Sequence, residues 1–185
     1  MARSGASAMK PVLLPPAGEV GFLGDAAMPA DLYFVTREPV PIVGMGYPAR
    51  IDWSLLHAQG VHHVVCLTHD EPLYDAAPLA VTAVALEDMY AAPATGPRDA
   101  SAELVRVQHA ADAVVRAVAR DEGVAVHCRG GRGRAGTVIG VALVRLGLDP
   151  KQVVAHLDAI HRARGKGGWP EHPWQSSVVL ATTPH

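Results

Sequence analysis

The sequence predicts an α/β protein in which helices cover both faces of a central sheet. Short apolar segments of strand length alternate along the chain with longer segments of helical periodicity, as expected for this class. The segment GVAVH at 123–127 is apolar up to its final histidine, which is typical of a strand buried on both faces. With 185 residues, of which 49% are hydrophobic, the chain is long enough to bury one substantial core.

Several segments rich in β-branched or aromatic residues are predicted to be strands. One of them contains Pro41, which cannot donate a ladder hydrogen bond, so this strand is expected near an edge of the sheet. The predicted strands are 32–35, 40–44, 61–67, 79–86 and 123–127.

The helices are predicted from periodicity and from capping residues. The longest, 100–120, has an apolar stripe at helical spacing and follows Asp99, a suitable N-cap. Gly60 is placed to end the first helix, and Asp149-Pro150 is placed to begin the fourth. The predicted helices are 49–60, 100–120, 136–147, a helix from 149 onwards, and 174–180.

Composition narrows the domain organisation and the classes of function. Residues 1–20, rich in Ala, Ser, Gly and Pro, are predicted to be a flexible tail, and 21–185 a single domain. The net charge of −2 argues against a nucleic-acid partner. Two cysteines do not form a disulfide scaffold, which favours a reducing cytoplasm. The sequence shows no signal peptide and no apolar run of about 20 residues that would span a membrane.

The unusual stretch is VHCRGGRGRAGT at 126–137, between a predicted strand and a predicted helix. It places Arg129, Arg132 and Arg134 around the thiol of Cys128, with four glycines among them. Because the three positive charges lie close together and repel one another, the loop is expected to bind an anion. Glycine permits the backbone N–H groups to converge, and the helix N-terminus favours negative charge. The same field stabilises a thiolate, so Cys128 is predicted to be a nucleophile that faces a bound phosphate.

Two other interpretations of this loop are less satisfactory. A P-loop has the pattern G-x-x-x-x-G-K-[ST], and the spacing from Gly131 to Gly136 fits it. However, Thr137 follows Gly136 directly, so the required lysine is missing. A purely structural glycine turn beside a buried cysteine would not need three arginines.

The motif HCRGGRGRAG, residues 127–136, resembles the signature of the cysteine-based protein tyrosine phosphatases, and the resemblance extends over about 30–180. The short length, VVCLT and LEDM are similar to the dual-specificity branch. The resemblance implies a central, mostly parallel sheet flanked by helices, a cysteinyl-phosphate intermediate, and neither metal nor other cofactor. It also implies that His127 positions the loop and helps to lower the thiol pKa. The implied substrate-binding residues are Arg129, Gly130, Gly131, Arg132 and Gly133, with Arg134 catalytic.

The resemblance also implies a general acid on a mobile loop before the nucleophile. Asp88 lies 40 residues before Cys128, after the strand predicted at 79–86, and is the expected acid, with Glu87 as its nearest rival. The sequence WPE at 169–171 mimics an acid-loop motif, but it follows the nucleophile and is not expected to supply the acid.

Four further features have alternative interpretations. Gln175 is either a water-positioning glutamine, as in related enzymes, or a residue of a helix surface. Cys66 is expected to be a buried apolar thiol, although some relatives form a protective disulfide in this region. The basic loop 162–166 is expected to be solvated, with a second anion subsite as the alternative. Ala135 stands where most relatives have Ser or Thr, whose hydroxyl supports the cysteine sulfur.

These residues predict a phosphomonoester hydrolase of the dual-specificity type, acting on a phosphorylated protein. An inositol-phosphate or phosphoinositide phosphatase is the first alternative, because relatives of that kind carry basic residues at the positions of Arg129 and Arg132. The second alternative is a phosphate-binding pseudo-enzyme, although the presence of Cys128, Asp88 and Arg134 argues against it.

Overall fold

A computed structural model of the chain describes residues 10–17, 22–23, 26–27, 32–90 and 95–184. The strands are β1 (Phe22–Leu23), β2 (Ala26–Ala27), β3 (Tyr33–Thr36), β4 (Ile42–Met45), β5 (Val61–Cys66), β6 (Ala80–Ala83) and β7 (Gly123–His127). The helices are α1 (Trp53–Ala58), α2 (Ala100–Val118), α3 (Gly133–Arg145), α4 (Pro150–Ala163) and α5 (Pro173–Ala181). β1 and β2 pair as a small antiparallel ribbon.

The central sheet has the strand order β3-β4-β7-β5-β6. Only β3 is antiparallel to its neighbour, so the expected mostly parallel sheet is confirmed. The edge position predicted from Pro41 was wrong, because β4 lies between β3 and β7. Pro41 comes just before the strand, where its missing N–H costs no ladder bond and its carbonyl oxygen accepts from Val124 N at 2.9 Å.

Both faces of the sheet are covered, as predicted. α1 packs on one face, where Trp53 and Leu56 join a cluster with side chains of β4 and β5. The opposite face is covered by α2 and α3, and the main core cluster on that side also includes buried residues of α4 and α5. All five residues of β7 are buried, in agreement with its apolar sequence. The strand that precedes the glycine-arginine loop is therefore the central strand of the sheet.

The capping residues predicted from the sequence are in place. Asp99 and Asp149 each accept a hydrogen bond at 2.9 Å from a first-turn backbone N–H of α2 and α4. Gly60 has φ +85° directly after the C-cap of α1. The start of α3 was predicted too late: the helix begins at Gly133 rather than at Gly136, so the last part of the signature motif is already helical.

Part of the predicted flexible tail is attached to the domain. Val12 is 6% exposed and belongs to the main core cluster, while Leu13 N donates to the carbonyl oxygen of Glu38 at 3.3 Å. Apolar burial therefore holds the chain against the domain at Val12, and the flexible tail at 1–20 stays a prediction. The rest of the predicted tail, 1–9 and 18–20, lies outside the described residues.

Candidate active site

The signature loop lies at the carboxyl end of β7, between the central strand and the N-terminus of α3. It is attached to the end of β4 by two hydrogen bonds, from Tyr47 N to Arg129 O (3.0 Å) and from Cys128 N to Met45 O (3.4 Å). Gly131 has φ +66° and packs directly against the backbone after β4. A positive φ and this close approach both require glycine, so the loop conformation depends on that residue.

A cavity of about 560 Å³ opens above this loop. Its lining includes Cys128 and the three arginines of the motif, Arg129, Arg132 and Arg134. Cys128 is only 3% exposed, so an incoming group must enter the cavity to reach its sulfur. The structure thus brings the predicted nucleophile and the predicted anion-binding residues to one place.

Asp88 borders the same cavity and forms an ion pair with Arg134, with Oδ2 2.6 Å from Nη2. Arg134 also donates through Nη1 to the carbonyl oxygen of Leu86 at 3.3 Å. The Glu87 carboxylate instead accepts two hydrogen bonds from Arg98, one from the Arg98 backbone N–H at 3.2 Å and one from Arg98 Nε at 3.4 Å. Of the two candidate acids, Asp88 is therefore the one that faces the thiol cavity.

A second cavity of about 410 Å³ adjoins the first. Asp88, Arg129 and Arg134 border both cavities, and the second is also lined by Tyr47 and His69. Tyr47 and His69 thus form an aromatic wall beside Asp88.

Glu171 is a residue of the thiol cavity that was not predicted from the sequence. Its Oε1 accepts from Arg132 Nε at 2.8 Å, and both side chains line the thiol cavity. The residue belongs to the WPE segment that was set aside because of its position in the chain. Sequence order gave no signal for this contact, since Arg132 and Glu171 are 39 residues apart.

The predicted supporting residue Gln175 is 1% exposed. Its Oε1 accepts from the backbone N–H groups of Glu171 (2.9 Å) and His172 (3.1 Å), which completes a capping box at the start of α5. A side chain on Gly133 would meet its Nε2 at 2.7 Å. Gln175 is therefore buried close to Gly133 rather than exposed on a helix surface, and its role in positioning water stays a prediction.

His127 is fully buried, and its Nε2 lies 2.5 Å from the hydroxyl oxygen of Tyr74. Its ring also forms edge contacts with Tyr74 and Tyr47, at centroid distances of 5.4 and 5.9 Å. These contacts fix the histidine that directly precedes Cys128, and its role in positioning the loop stays a prediction.

Cys66 is fully buried, as predicted, but its surroundings are polar rather than apolar. Its sulfur lies 3.5 Å from Thr68 Oγ1 and 3.7 Å from the carbonyl oxygen of His69. Burial opposes ionisation of this thiol, but the nearby His127 ring and the hydrogen bond with Thr68 outweigh it and lower the pKa of Cys66 to about 6. Both Cys66 and Cys128 are free thiols.

The helix after the loop explains two of the sequence features. The side chain of Ala135 is fully buried in the core cluster that includes Cys128. The hydroxyl of Thr137 donates to the carbonyl oxygen of Gly133 at 2.8 Å, so it is directed at the helix backbone rather than at the thiol. The hydroxyl that most relatives place after the arginine therefore has no replacement at Thr137.

Across the described ranges, no group of three or more His, Cys, Asp or Glu side chains is arranged to hold a metal ion. Among the helices that the structure describes, none is long and apolar enough to cross a bilayer.

A thiol, an arginine and a carboxylate thus meet on a strand–loop–helix anion cradle, which is the arrangement of a cysteine-based phosphatase domain. Residues 33–169 match the family described as PTP-SAK, a Swiss Army Knife protein with a DSP-PTPase phosphatase domain. Since this match spans well over half of the sequence, the chain belongs to that family, and the resemblance stated from the motif is confirmed. No curated protein matches the sequence significantly.

Three solved phosphatase structures illustrate the fold. A mouse putative dual specificity phosphatase, complexed with zinc tungstate, is 19% identical with a TM-score of 0.59, covering 86% of this chain and 90% of its own. P. aeruginosa TpbA, in complex with phosphotyrosine, is 18% identical with a TM-score of 0.55, covering 85% and 88%. PTPMT1, in complex with PI(5)P, is 17% identical with a TM-score of 0.52, covering 75% and 87%. At these identities the likeness establishes the fold alone.

Proposed function

We propose that this protein hydrolyses phosphomonoesters through a cysteinyl-phosphate intermediate on Cys128. The observation that supports this most strongly is the position of Asp88. Its carboxylate lies 2.6 Å from Arg134 and borders the cavity that Cys128 lines. A nucleophile, an anion-binding guanidinium and a proton donor are thus available at one bound phosphoryl group.

In the first step, the Cys128 thiolate attacks phosphorus and the bond from phosphorus to the leaving oxygen breaks. Asp88, protonated, gives its proton to that oxygen. Arg134 and the N–H groups of the signature loop stabilise the negative charge on the equatorial oxygens. When a phosphate binds, its oxygens take the place of the Asp88 carboxylate on Arg134, and the acid is released toward the leaving group.

In the second step, the Asp88 carboxylate removes a proton from a water molecule as the water attacks phosphorus. The bond between sulfur and phosphorus breaks, inorganic phosphate forms, and the Cys128 thiolate is restored. Asp88 is protonated again and ready for the next substrate. Asp88 thus carries out the proton transfer in both steps of the reaction.

A phosphorylated protein side chain is the proposed substrate. The cavity lined by Tyr47 and His69, next to Asp88, suits an aryl leaving group. The structure of TpbA holds phosphotyrosine, whereas that of PTPMT1 holds PI(5)P, so related folds accept both substrate classes. Arg129, which borders both cavities, keeps an inositol phosphate as the second candidate.

The test is a turnover panel of phosphotyrosine and phosphothreonine peptides, inositol phosphates and p-nitrophenyl phosphate. We expect wild type to release phosphate most efficiently from the phosphotyrosine peptide. Cys128→Ser should release none yet still bind phosphate, because the backbone cradle and Arg134 remain. Hydrolysis by Cys128→Ser above a few per cent of the wild-type rate would contradict the nucleophile assignment. Binding without turnover by wild type would support the pseudo-enzyme instead.

A further inference from the structure

An ion pair between Arg132 and Glu171 lies in the proposed phosphate-binding cavity. Both side chains are largely covered, at 22% and 17% exposure, and both line the cavity with Cys128. One of the arginines expected to bind substrate is therefore neutralised by a carboxylate of the same chain. Partial burial makes such a pair less screened by solvent than an ordinary surface pair.

The position of Glu171 is fixed by the surrounding segment. Its backbone N–H donates to Gln175 Oε1 at 2.9 Å. Two residues earlier, Trp169 N donates to Asp158 Oδ1 at 2.9 Å, and Trp169 Nε1 donates to the carbonyl oxygen of Gly133 at 3.4 Å. The Glu171 carboxylate also packs against Gly133, where a side chain would overlap it. The carboxylate is thus held against the signature loop from several directions.

Carboxylates of the same chain neutralise part of the positive charge around this cavity. Four cationic side chains line it, and Arg132 and Arg134 form ion pairs with carboxylates that also line it. The ion pair with Glu171 makes the Arg132 guanidinium unavailable to a bound anion. Removing the charge of Glu171 would make this guanidinium available. The cations are Arg129, Arg132, Arg134 and Lys166, and the carboxylates are Asp88 and Glu171.

We propose that Glu171 is a specificity-determining residue that restricts the cavity to substrates with a single phosphate at the site. This inference rests on the proposed function, and it names the substrate class more closely. The carboxylate occupies the guanidinium that a second, neighbouring phosphate would need. Arg132 Nη1 lies beside Gly167, next to Lys166, so the blocked subsite has cations on adjacent walls. The basic residues of the loop therefore do not select polyanionic substrates while Glu171 is charged.

The test uses Glu171→Gln, which keeps the shape of the side chain and removes its charge. Affinities for pyrophosphate and orthophosphate are measured by isothermal titration calorimetry, and as inhibition constants against p-nitrophenyl phosphate. We expect the variant to bind pyrophosphate at least about tenfold more tightly relative to orthophosphate than wild type does, equivalent to about 1.4 kcal/mol. The double variant Glu171→Gln/Arg132→Gln should lose this gain, because the second phosphate would no longer have its guanidinium.

Glu122→Gln is the matched control, since Glu122 pairs with Arg120 at 2.7 Å and does not line the cavity. It should leave the ratio of the two affinities at the wild-type value. An unchanged ratio in Glu171→Gln, or a gain that persists without Arg132, would overturn the proposal. If wild type binds both anions but hydrolyses no phosphomonoester, the proposed function fails while the binding ratio still decides the role of Glu171.

Discussion

Gly131→Ala perturbs the signature loop at the point where the loop is pressed against the end of β4. The new Cβ would lie 2.5 Å from both Gly46 N and the carbonyl carbon of Met45, whereas ordinary contacts are about 3.5–4 Å. The residue also has φ +66°, which is strained for any residue with a Cβ. Since the obstructing atoms belong to the backbone, the loop itself must move by about 1 Å.

The substitution has two costs in stability. The left-handed conformation costs about 1–2 kcal/mol and the overpacking about 1–3 kcal/mol, so the free energy of unfolding should fall by about 2–5 kcal/mol. A displacement of about 1 Å in a catalytic array can reduce turnover by about 10²-fold. We therefore expect kcat/KM for p-nitrophenyl phosphate to fall by about two orders of magnitude, under conditions where the variant is still folded.

Gly130→Ala is the matched control. A Cβ on Gly130 has no atom within 4 Å, although the residue is the immediate neighbour of Gly131. Its free energy of unfolding should change by less than about 0.5 kcal/mol, and its kcat/KM should fall far less than that of Gly131→Ala. Urea denaturation and steady-state kinetics on both variants are the measurements. Similar losses in the two variants, or near-wild-type activity in Gly131→Ala, would refute the account of the loop as a backbone cradle.

Three further variants test other parts of the site. Asp88→Asn should lower kcat by about 10²–10⁴ and remove the basic limb of the pH–rate profile. The loss of kcat should be smaller for leaving groups that need no proton. If Glu87→Gln has this effect instead, the acid is misassigned. Ala135→Ser should speed breakdown of the phosphoenzyme about tenfold, because a hydrogen bond to a charged group is worth about 1.5–3 kcal/mol. Rapid mixing should show a product burst in wild type that the serine variant loses, and a wild type without a burst would contradict this. Tyr74→Phe removes the 2.5 Å hydrogen bond to His127 Nε2 and leaves this buried nitrogen unpaired. The free energy of unfolding, measured by urea denaturation, should therefore fall by about 1–3 kcal/mol. A loss below about 0.5 kcal/mol would mean that this bond does not hold the histidine.

The parts of the site that depend on local sequence were predictable. The residues from His127 to Arg134 are contiguous, and the need for glycine at Gly131 follows from the backbone itself. Asp88 could be placed because the resemblance implies an acid on a loop before the nucleophile, and Asp88 follows a predicted strand 40 residues before Cys128. The central parallel sheet could be predicted from the order of apolar segments.

The features that depend on distant contacts were not predictable. Glu171 reaches Arg132 only because α4 and the segment after it return to the signature loop, and nothing near either residue indicates this. Pro41 lies one residue before β4, but predicted strand ends are not accurate to a single residue. The proline was therefore placed inside the strand, which led to the wrong prediction of an edge. Val12 belongs to a short apolar run, 12–14, that prolines flank within a stretch of tail-like composition, so its burial could be learned only from the structure.

The most direct test of the proposed mechanism is detection of the phosphoenzyme. Wild type is mixed rapidly with p-nitrophenyl phosphate, quenched with denaturant within the first turnover, and digested for mass spectrometry. The account predicts a phosphate adduct on the peptide containing Cys128, present also in Cys66→Ser and missing in Cys128→Ser. Turnover without any adduct on Cys128, or an adduct on another residue, would contradict the assignment of Cys128 as the nucleophile.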